Sequence, residues 1–564
     1  MDMSWEHNDG VNQDPVSKFP GVVTSLLVGS LISLTIIIIR GRWKVPPHYP
    51  KDIPFLGDKK GYVSRWRACY QGWPVLSPKV KEGYEKVCFS YRRHASGLTD
   101  AVGVKFNRFD QPYILPTFFL RSQVMLPAKD IEWLMRLPET VVSISELQND
   151  NVSLSHISTL TRPIPGEKPL MAALHTHVNR HMSRIQGDVY EELSKSIDVE
   201  FGTDSSHWRA VPVAQAMSNI VLSVSARVVF GRPICRDEQW LRSAERTTNF
   251  LGAAMISGQL VPWFIQPVIS PFLKFICDFV RQRCFLSIRP TLQSWYEQIL
   301  QERRDGAQNP DVPYNFATTL MRTALKVDDK KRMDAPMMFD LILFTALLPF
   351  KASALTSTAT LLDIASSAPE QDVYKTLRKE AARDLESDAD WHNLASFANM
   401  PHIESVVRES LRLNPTQGRA LNREVVQKSG LDLPSGQHVP KGTWLGASSM
   451  GIHLDGRFYP DARTYKPFRF TKGSEPNSIQ VGGESSSSSM EADQLNAPLL
   501  SFGGGRHRCA GQAFAYHLNK LLVSYIVTHY DMQPLDSRPS NWEIGDNILP
   551  PRNAVINVRR IPGK

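Results

Sequence analysis

Cys509 stands inside Phe502-Gly503-Gly504-Gly505-Arg506-His507-Arg508-Cys509-Ala510-Gly511, between three consecutive glycines and a run of helix formers. Arg506, His507 and Arg508 are expected to favour thiolate over thiol, because neighbouring positive charge stabilises the anion. The glycines admit positive φ and let the backbone approach a flat ligand where a Cβ would collide. Gln512 to Leu518 then has helical apolar spacing. Cys509 is therefore expected just before or at a helix start, where the macrodipole also favours an anion. A glycine-rich loop presenting one thiolate from a helix start can hold haem iron through sulfur.

Three other readings use the same residues. A dinucleotide fingerprint needs a strand before the glycines and an acid about twenty residues beyond them, and neither is evident. A zinc site needs partner ligands, and the chain has no Cys-x-x-Cys. A structural cysteine buried in a tight turn remains as the bland alternative.

Several elements would have to position this loop. Glu409 and Arg412 lie at i and i+3 in Val407-Arg408-Glu409-Ser410-Leu411-Arg412, so their charges can meet on one helix face. Taken alone, that is an ordinary surface pair. Further on, Tyr465-Lys466-Pro467-Phe468-Arg469-Phe470 supplies an arginine whose planar fork could bridge Glu409 to the backbone before the cysteine loop. From about Gly61 to Leu431 the periodicity is mainly helical, with helices expected over Ala214–Phe230, Arg281–Arg304, Leu341–Ala368 and Tyr374–Leu385. Strands are expected between Val425 and Leu445 and near Val555–Val558. The fold class is mainly α with small peripheral β-sheets. His175, His177 and His181 read as a solvated or ligand-edge-facing helix rather than a metal site. Leu260 to Phe272, apolar and broken by three prolines, is either a buried loop or one that dips into a membrane. Residues 473–498, with five serines from Ser485 to Ser489, lack an apolar period and read as a solvated insertion.

The chain has 564 residues, 42% hydrophobic and 21% charged, which is ample for a large core. Its net charge of +9 is dispersed, which argues against nucleic acid and for membrane surfaces or acidic protein partners. Six cysteines without a framework pattern fit free thiols in a reducing compartment. Gly21 to Ile39 is an uncharged apolar run that would reach about 28 Å as a helix, close to a bilayer's hydrocarbon thickness. The tail before it is mostly acidic, and Arg40, Arg42 and Lys44 follow. Positive charge stays cytoplasmic, so residues 1–20 are expected in the lumen, 21–39 as a single-span anchor, and the rest in the cytosol. Residues 40–60 form a stiff proline-rich linker, and 61–564 the catalytic domain.

The cysteine string resembles the haem-binding loop of the cytochrome P-450 superfamily, Phe-x-x-Gly-x-Arg/His-x-Cys-x-Gly, at Phe502, Gly505, His507, Cys509 and Gly511. Glu-x-x-Arg followed by Pro-x-Arg-Phe matches the same family. The resemblance implies a P-450 fold preceded by one transmembrane helix, heme b with Cys509 as iron ligand, and Glu409, Arg412 and Arg469 locking the core behind the haem. His507, with Arg506 or Arg508, would pair with haem propionates or face the electron donor. It further implies endoplasmic reticulum membrane, an NADPH-cytochrome P-450 reductase as partner, and oxygen insertion into a lipophilic small molecule. Ala226 to Pro233 looks like fungal members that decorate terpenoids, steroids and alkaloids. The family's distal helix should read Ala/Gly-Gly-x-Asp/Glu-Thr-Thr, whereas this chain has Pro349-Phe350-Lys351-Ala352-Ser353-Ala354-Leu355-Thr356. The acid is absent. Ser353 is then the expected relay hydroxyl, with Thr356 or a substrate hydroxyl plus water as alternatives. Pro349, which removes a helical hydrogen bond, is expected to open a groove there. A haem-thiolate rearrangement enzyme needing no external electrons is the alternative activity.

Overall fold

The computed structural model describes residues 50, 52–54, 56, 111–115, 122–144, 167–258, 266–326, 335–471, 499–544 and 546–563. The expected anchor 21–39, the insertion 473–498, most of the linker and Leu260–Ile265 lie outside the described residues. Two long helices organise the body. The distal helix, Ala335–Ala365, is apolar on nearly every side, as a helix surrounded by protein must be. The cysteine helix, Gln512–His529, is buried continuously from Tyr516 to Thr528. Val213–Phe230 packs against the distal helix. Among the described residues it alone is long and apolar enough to cross a membrane, yet 67% of that window is buried inside the protein. It is a core helix.

The strands in chain order are β1 (Tyr113–Leu115), β2 (Gln123–Leu126), β3 (Val142–Ser143), β4 (Arg209–Pro212), β5 (Arg419–Val425), β6 (Leu431–Asp432), β7 (His438–Val439), β8 (Trp444–Ser448), β9 (Tyr530–Met532), β10 (Trp542–Ile544), β11 (Asn547–Leu549) and β12 (Val555–Arg560). The main sheet runs β1-β2-β8-β5-β3, with only β2 and β8 parallel. A second, antiparallel sheet runs β4-β12-β9. The end of the expected linker is fastened to the main sheet. Ile114 donates its N–H to the Pro54 carbonyl and Leu56 donates to that of Ile114, with Ile53 buried.

Two expected elements differ. The expected helix over Arg281–Arg304 is broken into Gln266–Leu286 and Arg289–Asp305, with Pro290 opening the second. Pro cannot donate a helical hydrogen bond but is tolerated in a first turn. For the same reason Pro267 fits at the start of Gln266–Leu286, so part of the expected proline loop is helical; Pro271 lies deeper inside that helix.

Glu409 and Arg412, each with a fully buried side chain, are not the surface pair their spacing allows. Arg412 grips Glu409 through Nε and Nη2, both at 2.7 Å. Arg469 adds Nε at 3.0 Å and donates Nη1 to the Pro460 carbonyl at 2.6 Å. The fork therefore bridges Glu409 to the segment ahead of the cysteine loop, as its planar shape permits.

Candidate functional site

The cysteine loop is held by its own backbone. Cys509 N–H donates to the Phe502 carbonyl at 2.9 Å, and Gly503 N–H to that of Leu500 at 2.9 Å. Gly503 and Gly505 take φ of 68° and 64°, where L side chains are strained. The glycine requirement comes also from the protein side. A Cβ on Gly505 would lie 2.7 Å from the Met135 carbonyl, and one on Gly504 would run into the Met135 sulfur. Phe502 packs its ring 5.2 Å from that of Tyr516. Cys509 itself is exposed, three residues ahead of the cysteine helix, whose N-cap is Gly511.

The expected depression of the Cys509 thiol by its basic neighbours is not found. Crowding of the sulfur pushes its pKa up, and the Gly511 N–H is the group that opposes this. Arg506 and Arg508 are exposed, and their charges are spread into solvent. A metal held by the sulfur would deprotonate it outright, without help from these residues.

His507 faces Glu139, with Nε2 2.9 Å from Oε2. Burial and then Arg423 hold the His507 pKa down, while Glu139 acts the other way. Glu139 is fixed by the Ser143 hydroxyl at 2.6 Å. Arg423 is 4% exposed and donates Nη1 to the Asn422 carbonyl at 2.8 Å. Among the described residues no carboxylate neutralises it at bonding distance, which is unusual for a buried guanidinium.

A bulge puts Arg423 there. Ala420 pairs with Ala447 and Arg423 with Leu445, so β5 spends one residue more than β8 between these pairs. Leu421 takes a φ of 56° at that point. Side chains alternate across a strand, so Arg419 and Arg423, four apart, would share a face in a regular one. The extra residue sends them to opposite faces. Arg419 meets Asp546 at 3.0 Å and Gln123, whereas Arg423 turns toward Glu139 and His507.

On the distal helix, Ala352 is exposed and Ser353 half-exposed, between buried Phe350 and buried Ala354. Thr356 is buried and donates to the Ala352 carbonyl at 3.1 Å. Among the described residues the Ser353 side chain makes no hydrogen bond; its carbonyl accepts from the Ser357 hydroxyl at 2.9 Å. Such i−4 bonds compete with the helical ladder and loosen it. Lys351 reaches away, to Asn249 at 2.8 Å and Ser218 at 3.4 Å. Ser357 also meets Asn519 of the cysteine helix at 2.9 Å. The distal helix and the helix that follows Cys509 are thus joined at that bond. His177 is buried against Thr319 and Tyr314, and among the described residues no cluster of three metal-binding side chains occurs. Asn179, from the same π-helical turn (Leu174–Arg180), reaches the Ala510 carbonyl at 3.3 Å.

A family model described as Cytochrome P450 matches residues 168–558. The chain belongs to the cytochrome P450 family. Cytochrome P450 monooxygenase polB of Polytolypa hystricis is 31% identical over 519 residues, covering 91% of this chain and 94% of its own. Cytochrome P450 monooxygenase lnaC of Aspergillus flavus is 29% identical, covering 96% and 99%. The retinoic acid-bound cyanobacterial CYP120A1 superposes with a TM-score of 0.55 at 16% identity, over 80% of this chain and 92% of that one, and shows the fold alone. This P450 is a monooxygenase with haem as cofactor, of the fungal type.

The residues fit that cofactor. An exposed sulfur on a glycine-braced loop suits an iron, and a buried guanidinium with no carboxylate bonded to it among the described residues suits an anionic propionate edge. Arg423 and Glu139 carried no sequence signal, because the bulge and the turn after the short helix Ile131–Arg136 that place them are tertiary features. Arg423→Gln is expected to speed haem transfer to excess apomyoglobin roughly tenfold, the worth of a charged hydrogen bond. An unchanged transfer rate would remove Arg423 from the cofactor site.

Proposed function

We propose that this P450 inserts oxygen into a C–H bond of a lipophilic small molecule of terpenoid, steroid-like or indole-alkaloid type, in fungal secondary metabolism. Electrons come from an NADPH-dependent P450 reductase meeting the exposed Arg506 and Arg508. The observation that carries this reading is the exposed Cys509 on its glycine-braced loop, joined through Asn519–Ser357 to the exposed turn of the distal helix. Cys509 is the iron ligand, with Phe502, Gly505, His507 and Gly511 shaping its loop and Glu409, Arg412 and Arg469 locking the core behind it. His507 acts through Glu139 and Arg423 rather than alone. The haem supplies dioxygen activation; the protein supplies orientation and exclusion of water.

Thr356 is the fixed hydroxyl of the oxygen side. Its proton is committed to the Ala352 carbonyl, which leaves its lone pairs open to accept a hydrogen bond from a water whose other proton faces the bound oxygen. A hydroxyl already oriented costs no reorganisation during reaction. Ser353, oriented by no bond among the described residues, is the secondary relay. The absence of a carboxylate in this turn favours one rival, a rearrangement needing no external electrons. Residues 1–20 form a lumenal tail and 21–39 the anchor in the endoplasmic reticulum membrane, before the linker and the cytosolic catalytic domain. Support comes from Phe272, Phe275 and Phe279, 66%, 70% and 53% exposed on the helix Gln266–Leu286. Such a stripe suits a bilayer interface.

Cys509→Ala is expected to abolish the thiolate signature of the reduced-CO spectrum; a spectrum like the wild type's would refute the ligand. Turnover should consume NADPH and O2, and product formed without either would favour rearrangement. Thr356→Ala should divert several-fold more electrons to hydrogen peroxide, Ser353→Ala fewer; the reverse order would exchange their roles. A chain lacking residues 1–40 should partition largely to the soluble fraction, and complete retention in membranes would count against the anchor.

A further inference from the structure

His453 ends the short helix Ser449–His453 and is fully buried. Its ring touches two elements that the sequence leaves unconnected. Nε2 accepts the Leu500 N–H at 2.9 Å, at the start of the cysteine loop. Nδ1 lies 3.0 Å from the Arg412 carbonyl. A backbone amide can only donate, so Nε2 carries no proton and Nδ1–H donates to Arg412. Arg412 returns the contact by donating Nη1 to the His453 carbonyl at 2.5 Å. The ring is thereby locked in one tautomer between the buried ion pair and the loop.

From Leu500 the path to the sulfur is short. The Leu500 carbonyl accepts from Gly503, and the Phe502 carbonyl accepts from Cys509 itself. The neighbouring Ser501 hydroxyl donates to the Leu411 carbonyl at 2.8 Å, a second tie to the same helix. We propose that His453 is a positioning residue for the Cys509 ligand: its neutral ring, braced by Arg412, fixes where the cysteine loop leaves the core and hence where the sulfur stands. The proposal rests on the assignment of Cys509 as iron ligand.

The bond to Leu500 requires an unprotonated Nε2. A protonated ring would set N–H against N–H. Burial and the adjacent Arg412 push the His453 pKa down to about 3. A histidine held below its ordinary value of 6.5 stabilises the fold above that value and loses this contribution as pH falls toward about 3. The charged groups around it are Arg412, neutralised by Glu409, then Arg469 on Glu409, and Asp455 paired with Arg457. Leu499 to Phe502 bring none.

The test uses the full-length holoenzyme and reduced-CO spectra read across a pH series. His453→Gln keeps an acceptor toward Leu500 without a titrating ring, His453→Asn keeps only the donor toward Arg412, and His453→Leu keeps neither. The ratio of thiolate-ligated to displaced haem should fall roughly tenfold in His453→Leu at neutral pH, because the Leu500 amide is left buried and unpaired. His453→Gln should retain the signature at neutral pH and lose it at lower pH than the wild type. A His453→Leu holoenzyme with the wild-type ratio and acid profile overturns the proposal while leaving Cys509 in place. A wild-type spectrum without the thiolate signature overturns both. Should His453→Leu retain no haem, the other pair decides: Gln above Asn supports the proposal, and equality sinks it.

Discussion

A carboxylate with no access to water must be neutralised where it stands, and much of this molecule is arranged around that requirement at Glu409. Two arginines answer it. Arg412 comes from the same helix face, while Arg469 comes from the far side of the segment that leads toward the cysteine loop. Removing one partner of such a buried set costs about 3–5 kcal/mol, since the remaining charge is left uncompensated. The spare donors of both arginines are used on carbonyls of His453, Ala462 and Pro460. An irregular segment with no sheet or helix to satisfy it is thus pinned to a helix by charge-assisted bonds. The cysteine loop inherits its place from that arrangement.

The loop's chemistry depends less on local charge than its basic residues suggest. Arg506 and Arg508 extend into solvent, His507 is taken by Glu139, and the sulfur is left with one opposing backbone N–H. Anionic character at Cys509 belongs to the bond it would make with iron. What the polypeptide contributes is a fixed position and a backbone that cannot collapse onto the sulfur. Gly503 and Gly505 supply the required turn, and Met135 fills the space behind it.

On the opposite side the protein departs from regular helix and strand where a ligand must fit. The distal helix carries hydroxyls at Thr356, Ser357, Thr358 and Thr360, each bonded to the carbonyl four residues back. With Pro349 just before them, this is a stretch of weakened ladder in an otherwise unbroken helix. In β5, the positive φ of Leu421 is strain of the kind that persists where the surroundings over-determine it. The bulge separates two arginines that a regular strand would keep together.

How much of this could be read beforehand follows from the range of the forces involved. The family, the mainly helical class, the place of Cys509 before its helix and the Glu409–Arg412 pairing all rest on spacings of a few residues, which the order of side chains sets directly. The Arg469 contact was legible because its fork and its neighbourhood of aromatics and proline have few other uses. By contrast, the burial of the Glu409–Arg412 pair, the thiol's upward shift and the break near Ile288 depend on what surrounds each group. Arg423, Glu139 and His453 gave no sign, since their partners lie in other elements and a bulge or a short helix turns them into place. Sequence by itself determined which groups the protein has and which near neighbours they meet. Only the tertiary structure decided which of them lose water, because desolvation is set by every chain segment packed around a group and not by the few residues beside it.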